Sequence, residues 1–293
     1  MNNENKSFLN RIFGGVNMSW SFVIIYAVAA AVMTALFLIV PALAQTSLQR
    51  VGETLEAWFL FAIFIMANCK SPLESALKTF VFFLISQPLI YLFQVPFSSM
   101  GWGLFSFYKY WAILTVATLP MAYVGWYITK RNWLSALILL PVIAFLAGTG
   151  MQGFKEAANN YPHHLGVGIF CLASILLYIA AFFPDLKSKL LGILVAAAAA
   201  AFIYIRTPQV TVQTTQPLEG IPVLSDDAYA GSENPEIANP QVWSEDGVSY
   251  VYIFSRKYGD TVITVTDGES EYRFNVRVYN DHGTAMIGIT KAD

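Results

Sequence analysis

The sequence predicts an α-helical multi-pass membrane bundle of about seven transmembrane helices, followed by a C-terminal all-β antiparallel domain that is sandwich-like. Only 12 % of the 293 residues are charged and the mean hydropathy is +0.53, whereas soluble domains carry roughly 25 % charged residues. The charge is also divided, because residues 1–205 have a net charge of +5 and residues 206–293 have −7. Long charge-free stretches fill the first part, and short strand-like stretches fill the second.

Charge-free stretches locate the helices, because an apolar helix of about 20 residues crosses the hydrocarbon core of a bilayer. The predicted helices cover residues 18–44, 53–69, 73–95, 109–129, 132–150, 164–184 and 189–205. The second has the weakest support, because only 13 residues between Glu56 and Lys70 are free of charge. The third has a clear start, since Ser71, Pro72 and Glu74 form a capping box.

The positive charges of the loops predict the orientation. With seven crossings and a cytoplasmic N-terminus, the cytoplasmic side carries eight Lys and Arg residues and the outside carries three. Without the second crossing, these numbers become four and seven. Because positive charge accumulates on the cytoplasmic side, we expect seven crossings, a transmembrane domain at 1–205 and an extracytoplasmic β domain at 206–293.

The first helix also has the outline of a signal peptide. Lys6 and Arg11 precede an apolar stretch that ends at Ala42-Leu43-Ala44, a small-residue cleavage pattern. The apolar run from Phe22 to Val40 is longer than the usual signal-peptide core. We therefore expect an uncleaved helix, and cleavage would leave six spans with the tail on the same side.

The tail contains five stretches rich in β-branched and aromatic residues, several of which alternate apolar with polar side chains as half-buried strands do. They are Val210–Gln216, Val248–Phe254, Thr261–Thr266, Tyr272–Tyr279 and Thr284–Ile289. Asp246-Gly247 and Asp267-Gly268 are typical turn pairs. The stretch from Ser225 to Pro240 is rich in Asp, Glu, Asn and Pro and is predicted to be a loop.

Two parts of the sequence resemble known groups of proteins. The strands Thr261–Gly268 and Tyr272–Val278 resemble the closing strands of bacterial Ig-like surface domains. The membrane half, especially Ser86–Tyr91 and Gln94–Phe97, resembles uncharacterised multi-pass membrane proteins of Gram-positive bacteria. The first resemblance implies a β-sandwich, and the second implies a cell-membrane location without any activity or site residues.

Glu53 and Glu56 are the most informative charged residues of the membrane half. They lie three positions apart on one helical face, and carboxylates inside a bilayer usually face a bundle interior or a water-filled cavity. One hypothesis is a proton or cation site or a general base. We favour the other, an acidic pair at an interfacial helix start near Arg50 that is stabilised by the helix dipole.

Two further polar pairs are candidates. Gln87 and Gln94 lie two helical turns apart on one face, where buried amides either hold helices together or line a cavity. His163 and His164 stand at the outer mouth of the sixth predicted helix, but adjacent residues point in different directions. We expect helix packing for the glutamines and hydrogen bonding, rather than metal binding, for the histidines.

No catalytic, cofactor or metal motif is recognised, so the sequence favours a protein without enzymatic activity. We expect a multi-pass membrane protein that presents its β domain for interaction, sensing or envelope assembly. Its partners would be the lipid bilayer and another envelope or membrane protein, and no nucleic acid. A small-solute or ion transporter or channel, or an enzyme acting on lipid-linked or cell-wall substrates, is the alternative.

Overall fold

The computed structural model describes residues 8–43, 46–159, 164–208, 210–281 and 284–292. It divides into two compact units. The first comprises residues 1–154 and 162–204, and the second comprises residues 155–161 and 205–293. The first unit is helical and the second contains all the described β-strands.

Nine α-helices lie within the described residues. They are α1 (Phe8–Ile12), α2 (Trp20–Ile39), α3 (Ser47–Glu53), α4 (Leu55–Ala67), α5 (Pro72–Gln94), α6 (Phe105–Gly125), α7 (Trp133–Asn159), α8 (Leu165–Phe182) and α9 (Leu186–Arg206). Six of the helical stretches are long and apolar enough to cross a membrane, and they contain α2, α5, α6, α7, α8 and α9. The predicted class of a multi-pass helical bundle is confirmed.

The predicted count of seven long helices is wrong, because the second predicted segment is not one helix. The chain forms α3 and α4 there, separated at Thr54, which has the extended backbone angles φ −108° and ψ 172°. With 13 residues, α4 rises only about 20 Å, less than the roughly 30 Å of the hydrocarbon core. No proline lies close to Thr54, so the sequence does not indicate this break.

Hydrogen bonds define one end of the helical unit, near the start of α2. The Asn68 side chain after α4 accepts from the backbone N–H groups of Gly14 and Val16, both at 2.9 Å. The indole of Trp126, which follows α6, donates to the carbonyl of Cys69 at 2.8 Å. Arg131, just before α7, donates to Asn10. The C-terminal ends of α4 and α6 and the start of α7 therefore lie together at this end.

The start of α5 also lies at this end and has the Ser71 half of the predicted capping box, whereas Glu74 reaches the residue before the N-cap. The Ser71 hydroxyl accepts from the backbone N–H of Glu74 at 3.2 Å, while the Glu74 carboxylate accepts from the N–H of Lys70 at 2.7 Å. Glu74 also pairs with Lys78, whose ammonium group donates to the carbonyl of Met18. The hydrogen bond from Lys78 to Met18 joins α5 to the segment before α2.

Contacts between α3 and the start of α8 define the opposite end. The Ser47 hydroxyl accepts from the backbone N–H of Gly166 at 3.0 Å. Since the end of α8 brings Phe182 against Phe13 at 5.1 Å between ring centroids, α8 runs from this second end to the first. The pair α3–α4 connects the same two ends.

Close packing of α7 against α8 depends on small residues. A Cβ atom added to Gly150 would lie 2.8 Å from the Cβ of Cys171, and one added to Gly168 would lie 2.6 Å from the ring of Phe154. Small residues let helix backbones approach in this way. The helix α7 ends at Asn159, beyond the predicted end at residue 150.

Seven strands lie within the described part of the second unit. They are β1 (Val212–Pro217), β2 (Tyr229–Ser232), β3 (Asn239–Glu245), β4 (Val248–Ser255), β5 (Gly259–Asp267), β6 (Ser270–Asp281) and β7 (Thr284–Lys291). They form a three-stranded sheet with the order β1-β4-β3 and a four-stranded sheet with the order β2-β5-β6-β7, and every pairing is antiparallel. The predicted all-β antiparallel domain is confirmed.

The predicted turns join the hairpins. Asp246 and Gly247 both have positive φ, 52° and 78°, as a type I′ turn between β3 and β4 requires. Gly268 has φ 59° in the two-residue connection between β5 and β6. The alternating residues Val251, Ile253, Ile263 and Val265 are buried in a core that draws on both sheets.

The loop predicted from Ser225 to Pro240 is wrong in part, because it contains β2 and the start of β3. Both are edge strands. At an edge, Pro240 can occupy a strand without its missing N–H breaking a ladder. The low β-propensity of this stretch does not predict strands. They form because β2 pairs with β5 and β3 pairs with β4.

Candidate functional site

The helical unit contains a pocket of about 190 Å³ between α2, α3, α4, α5 and α6. Gln87 and Gln94 both line it, as their spacing on one face of α5 allows. The remaining lining residues are Thr34, Leu38, Gly52, Trp58, Ile90, Tyr91, Phe107 and Trp111. None of the ten is charged, and four are aromatic.

Two hydrogen-bond donors of this pocket are buried and have no partner among the described residues. They are the indole N–H of Trp58 and the amide nitrogen of Gln87, and both side chains are 2 % exposed. Gln94 differs, because its amide nitrogen donates to the carbonyl of Ile90 at 3.1 Å. The glutamines thus share a pocket, and only Gln87 keeps an unsatisfied donor.

Glu56 does not line the pocket. It lies in the first turn of α4, as the helix-start hypothesis expects, but its side chain is completely buried, with 0 % exposure. Neither carboxylate oxygen has a hydrogen-bond partner among the described residues. Because residues two apart on a helix point in nearly opposite directions, Glu56 and Trp58 face different parts of the bundle.

The remaining predicted residues are Glu53, His163 and His164. The side chain of Glu53 and the whole of His163 are outside the described part of the structure. His164 precedes α8, and its Nδ1 accepts a hydrogen bond from the guanidinium of Arg50 at 3.1 Å. Within the described residues, no group of three or more His, Cys, Asp or Glu side chains is placed to hold a metal ion.

Both cysteines are buried and free of disulfide bonds. Cys69 lies between α4 and α5, where burial raises the pKa of its thiol to about 12. Cys171 packs in the close contact between α7 and α8. Both therefore occupy structural positions, as small apolar side chains do.

The β unit has a different feature, an aromatic stripe on the outer face of the three-stranded sheet. Tyr250, Tyr252 and Phe254 alternate along β4 with buried Val251 and Ile253, so the three rings share the face away from the core. The neighbouring Trp243 of β3 is 38 % exposed and stacks on Tyr250, with 5.7 Å between ring centroids and 22° between ring planes. We call these four rings the aromatic stripe.

Neutral polar side chains border the aromatic stripe on both sides. Strand register places Gln213 opposite Phe254, and both Thr215 and Gln241 opposite Tyr252. The Tyr252 hydroxyl donates to the Gln213 side-chain oxygen at 2.9 Å. These residues give the stripe a polar border, and the guanidinium of Arg256 lies over the Phe254 ring, 5.5 Å from its centroid.

Comparison with known protein families, curated proteins and solved structures finds no match for this chain.

Sequence reasoning missed most of the pocket and the aromatic stripe. No local pattern in the sequence singles out Trp58 of α4 or Trp111 of α6, which both line the pocket. The alternation in Val248–Phe254 already carried the signal for the stripe, since the Val and Ile positions predict the core and the aromatic positions must then face outward. The pocket had no comparable signal, because its lining comes from five separate helices.

Proposed function

We propose that the protein is a multi-pass cell-membrane anchor that presents its C-terminal β domain outside the cytoplasm as an Ig-like interaction module. In this proposal the N-terminus is cytoplasmic, residues 1–205 form the anchor and residues 206–293 form the module. The module binds another envelope or membrane protein through the aromatic stripe. The observation that carries the proposal is this row of half-buried rings on the outer face of the three-stranded sheet, next to the exposed Trp243.

The orientation requires an odd number of crossings, and we propose that α3 and α4 together make the seventh. They contain 7 and 13 residues, which corresponds to a combined rise of about 30 Å, close to the thickness of the hydrocarbon core. Ser47 of α3 contacts the start of α8, whereas Asn68 after α4 contacts residues before α2. A crossing made by this pair is consistent with both contacts.

The charge distribution supports a cytoplasmic location for the end near the start of α2. Lys70, Lys130 and Arg131 lie in the connections at that end. The opposite end carries fewer positive charges, among them Arg50 in α3 and Lys109 near the start of α6. Positive residues accumulate on the cytoplasmic side of membrane proteins, so the chain after α9 would leave on the outside.

The strand order supports the Ig-like assignment. In an immunoglobulin fold, strands B, E and D lie together in one sheet, and strands C, F and G lie in the other. The sheet orders β1-β4-β3 and β2-β5-β6 reproduce these neighbours when β1 is equated with strand B. The strand β7 then extends the second sheet beyond the common pattern.

The chemistry of the aromatic stripe favours a protein partner. Tyr and Trp are enriched at protein interfaces, because rigid rings bury a large area at a low entropic cost. Scattered exposed apolar residues are ordinary, whereas a contiguous group indicates an interaction surface. The cross-strand neighbours of Tyr250, Tyr252 and Phe254 are uncharged, which matches the depletion of charge at interface centres. The one cation against the stripe among the described residues is Arg256, whose guanidinium lies 5.5 Å from the centroid of the Phe254 ring, and Arg is enriched at interfaces.

A site-specific photo-crosslinker tests this proposal in intact cells. We expect a crosslinker at Tyr252 to trap a protein of defined mass and one at Thr264, on the outer face of the other sheet, to trap none. The additional substitution Trp243→Ala should abolish the product. Equal crosslinking from both sheets, or none from Tyr252, would refute the proposed binding face.

A further inference from the structure

We propose that the pocket between α2, α3, α4, α5 and α6 binds a small uncharged molecule whose oxygen atoms accept hydrogen bonds from Trp58 and Gln87. This binding site is separate from the aromatic stripe, and the proposal does not depend on the orientation of the protein in the membrane. It rests on unsatisfied donors, on the absence of charge in the lining and on the size of the pocket.

The unsatisfied donors define what the ligand must provide. An indole N–H can only donate, and a buried donor without a partner costs stability. Both the Trp58 indole and the Gln87 amide nitrogen are in this state, and both residues line the same pocket. Acceptor oxygens are therefore what both donors lack.

The lining also defines the charge of the ligand. No Lys, Arg, Asp or Glu is among the ten lining residues, so an ionic ligand would be buried without a counter-charge, which is costly. The rings of Trp58, Tyr91, Phe107 and Trp111 supply apolar walls that fit C–H surfaces. Oxygen atoms on a short carbon frame, as in a polyol, match both parts of this surface.

The size of the pocket limits the ligand to a small one. Its volume of about 190 Å³ equals roughly six water molecules at about 30 Å³ each. Pockets for drug-sized molecules measure roughly 300–1,000 Å³. Glycerol and other small polyols fall within this limit, whereas a lipid chain or an oligosaccharide does not.

The helix break supports a binding role for this region. Gly52 and Trp58 lie on either side of Thr54, where α3 ends and α4 begins, and both line the pocket. Interrupted helices in membrane proteins commonly accompany binding sites, because the backbone can be irregular where it lines a cavity. The helix that begins at the break carries Trp58, one of the two unsatisfied donors, into the lining of the pocket.

The proposal is tested with the full-length protein in lipid nanodiscs. Glycerol, erythritol and glucose serve as neutral probes, and phosphate and choline serve as charged ones. We expect at least one neutral probe to raise the melting temperature in a saturable manner, as linkage requires, and neither charged probe to do so. A result in which no neutral probe stabilises the protein, or in which phosphate or choline does so equally well, overturns the proposal.

Substitutions then assign the binding to the pocket. Trp58→Phe keeps the ring and removes the unsatisfied donor, so the protein should fold at least as well without ligand and bind the neutral probe about tenfold more weakly. Gln87→Leu should weaken binding to a similar degree. Trp133→Phe, at a Trp that is 46 % exposed and outside the lining, is the matched control and should not change binding. Affinity that is unchanged in both Trp58→Phe and Gln87→Leu overturns the assignment.

Discussion

Replacing Asn68 by Ala should release the segment before α2 from the end of α4. Its amide is held by four hydrogen bonds. The oxygen accepts from the backbone N–H groups of Gly14 and Val16, and the nitrogen donates to the carbonyls of Ile12 at 2.7 Å and Phe64 at 2.8 Å. Three of the four connect residues more than 50 positions apart in the chain.

The number of bonds sets the expected cost. A typical intramolecular hydrogen bond contributes about 0.5–1.5 kcal/mol, and the bond to Gly14 is exposed while the others are partly buried. We therefore expect Asn68→Ala to lower the free energy of unfolding by about 2–5 kcal/mol. Most of the loss arises because the freed backbone groups of residues 12–16 have no other protein partner.

Unfolding in mixed micelles of a mild detergent and sodium dodecyl sulfate measures this change, and hydrogen exchange locates it. Exchange should increase at Gly14 and Val16. Asn17→Ala is the control, because Asn17 is exposed in the same segment. If both variants lose the same small amount of stability, Asn68 does not hold the two segments together and the reasoning about this end of the bundle is refuted.

Three other predictions concern packing, reactivity and folding. Gly150→Ala should lower the free energy of unfolding by about 1–3 kcal/mol in the same assay, because the new Cβ would lie 2.8 Å from that of Cys171, and no loss would contradict the close α7–α8 contact. Cys69 should resist alkylation by iodoacetamide at pH 8 in the folded protein, because its raised pKa of about 12 and its burial both suppress the thiolate, and mass spectrometry showing rapid modification would contradict this. Residues 208–293 expressed alone should melt cooperatively by circular dichroism, since their core draws on both sheets, whereas an unfolded fragment would show that the β domain needs the rest of the chain.

The sequence was sufficient to predict the six long helices, because each has its own apolar run and needs no partner to be recognised. The same local reasoning, from alternating apolar and polar residues and from turn pairs, predicted β4, β5 and β6. It failed at Thr54 and at β2, where the backbone conformation is decided by contacts with distant segments. Thr54 separates two helices that are held at opposite ends by Ser47 and Asn68, and β2 exists by pairing with β5.

The candidate sites show the same limit. Helical spacing correctly placed Gln87 and Gln94 on one face, but it could not show that Trp58 from another helix completes the pocket. Spacing also located Glu56 at a helix start, whereas its complete burial depends on packing that no local pattern encodes. Alternation, by contrast, depends only on neighbouring residues, which is why the orientation of the aromatic stripe was already contained in the sequence.

The side of the membrane on which the β domain lies tests the central claim most directly. Cysteine introduced for Ser270, in the exposed start of β6, and for Lys187, exposed at the start of α9, can be labelled in intact cells with a membrane-impermeant maleimide. The native thiols of Cys69 and Cys171 are buried and give little background. Seven crossings, with α3 and α4 as one of them, predict that Ser270→Cys is labelled at once and Lys187→Cys only after the cells are permeabilised. Labelling of Lys187→Cys in intact cells, with Ser270→Cys protected until permeabilisation, would contradict the account.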